Sequence, residues 1–367
     1  MERVLLISMG SRGDMEPFLA LGEELKPRNC DVAFCMPAQF QSLAAEVSET
    51  FYAMDKAFLE LVENDDVKRI IAQVGSAWSR LRTMIRLMWE TKPLQQQLIR
   101  DQKVAVDQFR PDLIILHPKC IYPIIAALEY GQRIKMLCPV PCMLHTVDSE
   151  PNIGFGDPGS PWWNRMTYYI ANKVYINKSI LSYAGPLVKA EFGFQELNSS
   201  RLYSFMLEEM PVEYAISERL FPRPDSWPAH AVISEFRERN KAKHWTPPAE
   251  LLQFLSDHPE PLYVGFGSMV NDQPERVGKI ILDVTAELDL PVLLNTGWGG
   301  GIQVADAQLP PQAFLVSDIP FDWLFSRVRA VVHHGGSGTT HSALRFDRPQ
   351  LIIPHIADQF LWMRLVN

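Results

Sequence analysis

Two histidines, a glycine-rich turn and several hydroxyls stand together near the end of the chain, in the stretch HHGGSGTT at residues 333–340. The apolar residues 331–332 before it predict a buried strand, and an apolar pair at 343–344 predicts a helix from Thr340 onward. A glycine turn that opens a helix presents unpaired amides at the positive end of the helix dipole, and glycines let a phosphate approach the backbone. The pattern indicates a phosphate site, although an ordinary strand-to-helix turn with a threonine cap explains it equally well.

Polar residues also follow other predicted strand ends, where parallel sheets bind their ligands. Ser268 closes one predicted strand, and Asp358 and Gln359 come shortly after another. A carboxylate beside a carboxamide suits sugar hydroxyls, because the first accepts hydrogen bonds and the second both accepts and donates them. The alternative for Asp358 is a helix N-cap. Trp298 follows a further strand, and either covers a ligand ring or packs in the core.

At the other end of the chain, Asp14 follows a turn that contains Gly10, Ser11 and Gly13 and ends the first apolar run. An aspartate in this place is either the N-cap carboxylate of the next helix or a general base exposed at the end of a strand.

Short apolar runs alternate with helical patterns along the chain, which predicts parallel α/β sheets. The predicted strands are residues 4–8, 32–36, 113–116, 134–137, 262–266, 292–294, 314–316, 331–332 and 351–353. A proline-rich stretch between the fourth and fifth strands is poor in periodicity and predicts a linker. The domain prediction is therefore an N-terminal domain at 1–210, a linker at 211–248 and a C-terminal domain at 249–367.

Composition restricts the classes of function. The 367 residues carry a net charge of −8, which argues against nucleic acid as the main partner. Five cysteines without a Cys-x-x-Cys pair fit a reduced, cytoplasmic protein better than a disulfide framework or a zinc site. The first apolar run is too short for a signal peptide, and no run of 18 apolar residues predicts a membrane span.

Taken together and in order, these motifs resemble the UDP-dependent glycosyltransferases of the GT-B fold. The similarity is greatest to the branch that contains sterol glucosyltransferases and the transferases that glycosylate bacterial natural products. The segments that carry the resemblance are GSRGDMEPFLALG at 10–22, the FPRP-to-WTPP linker, LYVGFGSMV at 262–270, NTGWGG at 295–300, DIPFDWLF at 318–325, HHGGSGTT at 333–340 and PHIADQF at 354–360. The implied fold has two Rossmann-like, doubly wound parallel-sheet domains that face each other across a cleft, the first binding the acceptor and the second the nucleotide sugar.

The resemblance also implies roles for single residues. The nucleotide diphosphate would bind to His334, Gly336, Ser337, Gly338 and Thr339, with Ser268, Gly10 and Ser11 near the phosphates. The donor sugar would contact Asp358 and Gln359, the backbone around Ile319 would read the uracil edge, and Trp298 would cover a ring. Asp14 would be the general base. The implied reaction moves a hexose, glucose above all, from UDP to a hydroxyl with inversion, and the absence of an Asp-x-Asp motif predicts that it needs neither metal nor cofactor.

Three departures from the family pattern leave questions open. No tryptophan stands at 318–320, where the plant branch stacks one on uracil, so UDP and dTDP both remain candidates, with Trp298 or Phe321 as a substitute ring. Asp14 has no evident carboxylate partner, and His117 and Lys119 end a neighbouring strand without a contact that the sequence can assign. The family continues beyond this length with further helices, so the resemblance predicts a C-terminal domain truncated at Asn367.

Two aromatic-rich segments of the N-terminal half are the predicted acceptor pocket. Its candidate residues are Trp78, Met84, Met88, Trp162 and Trp163. They suggest a large apolar acceptor such as a sterol, triterpenoid or polyphenol. The alternatives are a helix core with a solvated arginine face, and peripheral membrane contact through a basic amphipathic stretch.

Other classes of function also fit parts of the sequence. A nucleotide-sugar epimerase would share the fold, and an NAD-dependent oxidoreductase would use the glycine turn with Asp358 about 20 residues further on. The oxidoreductase fits poorly because the turn lacks G-x-G-x-x-G. A sugar-nucleotide-binding protein without catalysis is the third alternative. The sequence leaves the oligomeric state open.

Overall fold

The structure is a computed structural model that describes residues 1–57, 77–269, 271, 273–297, 301–305 and 309–366. For residues 77–90 and 244 only the backbone is described. The chain divides into two compact units, Met1–Arg239 and Asn240–Asn367.

Among the described residues, the first unit contains a seven-stranded sheet whose strands are all parallel, in the order β3-β2-β1-β4-β5-β6-β7. The strands are β1 (Glu2–Ile7), β2 (Cys30–Pro37), β3 (Phe51–Met54), β4 (Leu113–Leu116), β5 (Ile134–Cys138), β6 (Val212–Ala215) and β7 (Ala231–Ser234). The helices are α1 (Arg12–Leu25), α2 (Gln41–Ala45), α3 (Ala77–Phe109), α4 (Tyr122–Tyr130), α5 (Pro161–Val174), α6 (Gly185–Leu187) and α7 (Ser199–Ser204). Two 3-10 turns (Lys26–Arg28, Ala38–Phe40) and three π-helical segments (Tyr175–Ala184, Val188–Phe192, Phe205–Glu209) complete the unit.

The core of the first unit forms where β1 and β2 meet α1. Strand β1 lies between β2 and β4 and is buried, as expected for an uninterrupted apolar run in a parallel sheet. Phe18 and Leu19 of α1 are fully buried and belong to the same cluster as Leu6 and Phe34 of these strands. This packing fixes α1, and with it the polar turn between β1 and α1.

The second unit contains a five-stranded parallel sheet in the order β10-β9-β8-β11-β12. The strands are β8 (Leu262–Gly265), β9 (Val292–Asn295), β10 (Ala313–Val316), β11 (Ala330–His333) and β12 (Gln350–Ile352). The helices are α8 (Ala249–Asp257), α9 (Pro274–Glu287), α10 (Phe321–Leu324), α11 (Ser337–Arg345) and α12 (Gln359–Val366), with 3-10 turns at Lys241–His244 and Phe325–Arg327. Two parallel-sheet α/β units confirm the predicted fold class.

The structure corrects the predicted linker at 211–248. Val212–Ala215 is a fully buried strand paired with β5, and Ala231–Ser234 pairs with it in turn, so the first unit continues to Arg239. The prolines that suggested a linker lie in the loop between these two strands and after Arg239. Glu213 breaks the apolar pattern of β6, which concealed this strand from the sequence analysis.

Helix α11 begins at Ser337, three residues before the predicted start, because Gly336 takes the N-cap position. Ala343 is buried as expected, but Leu344 is exposed rather than directed into the core.

All five cysteines are free thiols. In the described part of the chain, no helix has the length and apolar character that crossing a membrane requires.

Candidate functional site

In the first unit, the polar residues at the carboxyl ends of β1 and β4 come together around Asp14. Asp14 lies in the first turn of α1, and Oδ2 accepts hydrogen bonds from the backbone amide (2.7 Å) and the hydroxyl (3.0 Å) of Ser11. Oδ1 lies 3.2 Å from Nε2 of His117 and 3.2 Å from Nζ of Lys119. The sequence offered these two partners, since both follow β4, but only the structure shows their contact with Asp14.

Gly10 makes this arrangement possible. Its φ of +135° favours glycine, and a β-carbon there would lie 2.2 Å from Oδ2 of Asp14 and 2.7 Å from Nζ of Lys119. The turn therefore wraps closely around the carboxylate because residue 10 has no side chain. Gly10 and Ser11 thus shape the surroundings of Asp14, while their predicted place near the phosphates stays a prediction.

The tautomer of His117 follows from its contacts. Its Nδ1 accepts a hydrogen bond from the amide of Lys119 (3.2 Å), so Nε2 carries the proton and donates to Asp14. Burial lowers the pKa of His117 in spite of the carboxylate beside it, so the ring is neutral at pH 7. Burial by itself would raise the pKa of Asp14, but Lys119, His117 and the Ser11 amide together lower it well below its usual range. Asp14 is therefore a firmly ionised carboxylate.

Asp14 also completes the N-terminal capping of α1, since its carboxylate accepts from the Ser11 amide and its own amide donates to the Ser11 carbonyl. The sequence also allowed Asp14 to be the N-cap residue, but the structure places Ser11 at the N-cap and Asp14 inside the first turn, where its carboxylate takes part in the capping. The second oxygen, which faces His117 and Lys119, makes contacts that capping does not require.

The predicted acceptor residues lie away from this cluster or outside the described side chains. Directly after α5, the hydroxyl of Tyr175 donates to the carbonyl of Pro118 (2.6 Å), next to His117 and Lys119. Trp162 and Trp163 lie at the opposite end of α5, about 18 Å further along the helix. Trp162 is exposed, and Nε1 of Trp163 donates to the carbonyl of Gly156.

Trp78, Met84 and Met88 lie on α3 in the part of the chain for which only the backbone is described, and so does the basic amphipathic stretch around them. Their part in an acceptor pocket and in membrane contact stays a prediction. Tyr175 is not among the predicted acceptor residues, yet its hydroxyl contacts the loop after β4.

In the second unit, the ring of His334 lies between two glycines. A β-carbon on Gly336 would stand 2.6 Å from Nε2 of His334, and one on Gly267, at φ +58°, would stand 2.9 Å from Cε1. Gly267 follows β8 and Gly336 precedes α11, so the imidazole brings together the two predicted phosphate-binding turns. The exposed Ser268 is next to Gly267 in this arrangement.

The two adjacent histidines have different surroundings. His333 is fully paired, because its Nδ1 accepts from the amide of Gly335 (3.1 Å) and its Nε2 lies 2.9 Å from Oε1 of Gln350. Nδ1 of His334 is buried and has no hydrogen-bond partner among the described residues. Burial, with smaller contributions from His333 and His355, lowers the pKa of His334 to about 3, so its ring is neutral at pH 7.

The glycine turn presents the N-terminus of α11. Gly336 has no side chain to cap the helix, and the first intrahelical bonds run from the amide and hydroxyl of Thr340 to the carbonyl of Gly336. The amides of Ser337, Gly338 and Thr339 therefore form the first turn, at the positive end of the helix dipole. Gly335, at φ +89°, allows the turn to approach Ile352 and the backbone of Gln359.

Both residues of the predicted sugar-binding pair, Asp358 and Gln359, form hydrogen bonds with other residues of the protein. Oε1 of the buried Gln359 accepts from the amides of His355 (2.7 Å) and Ile356 (3.0 Å), and Nε2 lies 3.2 Å from the sulfur of Met269. Asp358 directly precedes α12, and its Oδ2 accepts from Nε1 of Trp362 (2.9 Å). The N-cap position that the sequence analysis held as the alternative for Asp358 is the one observed, and a role toward a sugar stays a prediction for both residues.

Three further predicted positions complete the second unit. Ile319 is buried in the core, which anchors the loop after β10, and the preceding Asp318 has a φ of +46°. Phe321 stacks on Phe325 with ring centroids 4.5 Å apart, so it belongs to the same core. Trp298 lies outside the described residues. Among the residues that the structure describes, no group of three or more His, Cys, Asp or Glu side chains is placed to hold a metal ion.

Known proteins resemble this chain in sequence. Residues 279–367 match the family described as Erythromycin biosynthesis protein CIII-like, C-terminal domain. A sterol 3-beta-glucosyltransferase of Arabidopsis thaliana is 27% identical over 361 residues, which are 98% of this chain and 58% of that protein. A sterol 3-beta-glucosyltransferase of Neosartorya fischeri is 31% identical over 376 residues, 98% of this chain and 25% of that protein. The chain thus spans little more than half of the first relative and a quarter of the second.

Solved structures resemble it as well. The glycotransferase of kitacinnamycin superposes with a TM-score of 0.68 at 17% identity, covering 100% of this chain and 83% of that one. The calicheamicin glycosyltransferase CalG4 superposes with a TM-score of 0.62 at 17% identity, covering 98% of this chain and 80% of that one. The fold is GT-B. The resemblance inferred from the motifs is thereby confirmed, and the two sheets described above are the two Rossmann-like sheets of the GT-B fold.

Proposed function

We propose that this GT-B chain transfers a hexose, glucose above all, from a UDP-sugar to a hydroxyl of a large apolar acceptor, with inversion at the anomeric carbon. The observation that carries the proposal is the ionised carboxylate of Asp14 at the carboxyl edge of the first sheet, bounded by the Gly10 turn, His117 and Lys119. Similarity to sterol glucosyltransferases over 98% of the chain supports it.

The donor half of the proposal assigns the diphosphate to the turn between β11 and α11. The amides of the first turn of α11 and the positive end of its dipole favour an anion. His334 adds a neutral ring with a buried, unpartnered nitrogen, which suits a hydrogen bond to a phosphate oxygen. These groups would stabilise the charge that develops on the departing diphosphate.

The acceptor half assigns general-base catalysis to Asp14. The hydroxyl oxygen of the acceptor attacks the anomeric carbon as the bond from that carbon to the diphosphate breaks. The hydroxyl proton passes to Asp14, whose carboxylate is ionised before the reaction. The sum is one glycoside formed, one nucleoside diphosphate released and one proton taken up by the carboxylate. We further propose that no metal is needed, since α11 and His334 supply the stabilisation that a divalent cation would otherwise give.

The identity of the base in the nucleotide is part of what must be tested. One glycosyltransferase of similar fold was solved in complex with thymidine diphosphate, with a TM-score of 0.55. We propose UDP as the nucleotide of the donor and keep dTDP as the alternative, so the assay includes both.

The deciding experiment measures nucleoside diphosphate release by the 367-residue chain with UDP-glucose or dTDP-glucose, sterol, triterpenoid and polyphenol acceptors, and excess EDTA in one arm. Acceptor-dependent release, lost in Asp14→Asn and unchanged by EDTA, is the expected result. Asp283→Asn, a change at an exposed aspartate, is the matched control and should behave like the unchanged chain.

Three outcomes would each contradict part of the proposal. Release that is as fast in Asp14→Asn as in the unchanged chain would return Asp14 to its capping role. Binding of donor and acceptor without any glycoside product would favour a sugar-nucleotide-binding protein, and conversion of UDP-glucose to another UDP-sugar would favour an epimerase.

A further inference from the structure

The carboxylate of Asp14 is saturated with hydrogen-bond donors. An ionised carboxylate has about four acceptor positions on its two oxygens. Nε2 of His117 and Nζ of Lys119 approach Oδ1, while the amide and hydroxyl of Ser11 approach Oδ2. A general base must accept a hydrogen bond from the hydroxyl that it deprotonates, so one of these four donors has to leave first.

Two of the four donors are fixed in place. The His117 side chain is 2% exposed, its Nδ1 is held by the Lys119 amide, and its ring packs against Phe18 with centroids 6.0 Å apart. The amide of Ser11 belongs to the N-terminal capping of α1, so its removal would open the helix.

The other two donors can move. The hydroxyl of Ser11 can rotate away from Oδ2. His117 and Lys119 would then both remain on Oδ1, and the ammonium of Lys119 would still neutralise the charge of Asp14. Lys119 differs from the other three, because its side chain is 48% exposed on a flexible four-carbon stem and its ammonium is readily hydrated. Its departure frees one of the two acceptor positions on Oδ1, the other being held by His117, and also removes the positive charge beside the carboxylate.

We propose that Lys119 occupies the position on Oδ1 of Asp14 that the acceptor hydroxyl takes, so that acceptor binding displaces Lys119 into solvent and unmasks the base. This inference rests on the proposed function. Lys119 is thus a positioning residue: it keeps Asp14 ionised and blocks one hydrogen-bonding position on Oδ1 until an acceptor binds.

The displacement has a consequence for basicity. Among the described residues, the titratable side chains in contact with Asp14 are His117 and Lys119, and the nearby buried thiol of Cys120 is neutral because burial raises its pKa to about 12. The ring of His117 is neutral as well, so the ammonium of Lys119 is the positive charge beside the carboxylate. When Lys119 withdraws, the pKa of Asp14 rises toward the value at which it accepts a proton more readily. The hydroxyl proton then moves to Oδ1, the new bond to the anomeric carbon forms, and the bond to the diphosphate breaks.

The test compares Lys119→Met, which keeps the length and removes the charge, with Lys119→Arg, which keeps the charge. Lys119→Met is expected to lower the acceptor KM and the acceptor Kd about fivefold, because the hydroxyl no longer competes with an ammonium. Its acidic limb of kcat/KM should move up by about one pH unit. Lys119→Arg should keep the acidic limb of the unchanged chain, and the affinity for UDP should not change in either variant.

Lys189→Met, at an exposed lysine of the same unit, is the matched control and should change none of these quantities. A weaker acceptor Kd in Lys119→Met, or an unchanged Kd with an unmoved acidic limb, would overturn the inference. A loss of thermal stability equal in Lys119→Met and Lys119→Arg, with no effect on acceptor affinity, would reduce Lys119 to a structural ion pair and also overturn it.

Calorimetric acceptor binding in the absence of donor separates this inference from the proposed function. If acceptors bind but no glycoside forms, the proposed function fails. The acceptor Kd values of the unchanged chain, Lys119→Met and Lys119→Arg can still be compared, and this comparison decides the role of Lys119. If no acceptor of the panel binds, both fail.

Discussion

A β-carbon on Gly336 would lie 2.6 Å from Nε2 of His334, so the imidazole occupies space that any other residue at 336 would fill. The opposite side of the ring meets the same limit at Gly267, where an added β-carbon would stand 2.9 Å from Cε1. Among the described residues no hydrogen bond to the ring is present, so the absence of a side chain at two glycines sets its position. In the proposed donor site, the contact of His334 with the diphosphate depends on this position of the ring.

Gly336→Ala should weaken nucleotide binding by about tenfold, because the ring must shift and lose its hydrogen bond to the diphosphate. Isothermal titration with UDP measures this directly. Gly185→Ala is the control, since a β-carbon there meets nothing within 4 Å. Equal UDP affinity in both variants would show that the position of the imidazole does not matter for the nucleotide.

The adjacent histidines should respond differently to replacement by alanine. His333→Ala leaves the part-buried oxygen of Gln350 and the buried amide of Gly335 without their partner, which should lower the free energy of unfolding by about 1–3 kcal/mol. His334→Ala removes no hydrogen bond within the described residues, so it should reduce UDP affinity with a smaller loss of stability. Thermal unfolding with and without UDP separates the two effects, and the reverse order of stability losses would contradict the assignment.

Gly10→Ala should abolish transfer while leaving UDP binding intact. The added methyl would lie 2.2 Å from Oδ2 of Asp14 and 2.7 Å from Nζ of Lys119, so the turn must open and the carboxylate must move. Product formation and UDP titration together measure the effect. Gly13→Ala is a close control, since its β-carbon comes no nearer than 3.6 Å to Ser11 Oγ and lies within α1. Full activity in Gly10→Ala would mean that the tight turn around Asp14 is dispensable.

The strands that bear the candidate site could be predicted from the sequence because most of their residues are apolar. Runs such as 113–116 and 331–332 are continuously apolar, and the structure places strands there within a residue or two at each end. Strand β3 at Phe51–Met54 is apolar throughout but short and half-exposed, and the sequence prediction does not include it; β6 was missed because the charged Glu213 interrupts its apolar run. Pro222, Pro224 and Pro228 of the predicted linker lie in the loop between β6 and β7, two strands whose pairing is a tertiary contact that the local sequence does not show.

The site could be predicted in its residue types but not in its contacts. Asp14 and Lys119 are 105 residues apart in sequence, and no local pattern encodes their 3.2 Å approach. The choice between His333 and His334 depends on which ring Gln350 meets, which is again a long-range contact. For Gln359, the sequence predicted a contact with a sugar, whereas in the structure its side-chain oxygen accepts hydrogen bonds from the backbone amides of His355 and Ile356.

The stability of the first unit should depend on pH through Glu213. This buried carboxylate of β6 pairs with Lys135 and with Arg237 (2.7 Å) and accepts from the hydroxyl of Ser234 (2.7 Å), which links β5, β6 and β7. Burial alone would raise its pKa, but these three partners outweigh burial and lower the pKa from 4.5 to about 2. A depressed folded-state pKa contributes stability above the unfolded value, and this contribution is lost as the pH falls from about 4.5 to about 2.

A shift of this size corresponds to about 3 kcal/mol at neutral pH. Glu213→Gln should therefore lower the free energy of unfolding by about 2–3 kcal/mol at pH 7 and by much less at pH 3, because the unchanged chain has lost most of the contribution there. Urea denaturation followed by tryptophan fluorescence at both pH values measures the difference, since Trp227 stacks on Tyr214 next to Glu213 in the same strand. Glu196→Gln, at an exposed glutamate, is the control. A loss in Glu213→Gln that is the same at pH 7 and pH 3 would mean that the charge of Glu213 does not stabilise the sheet.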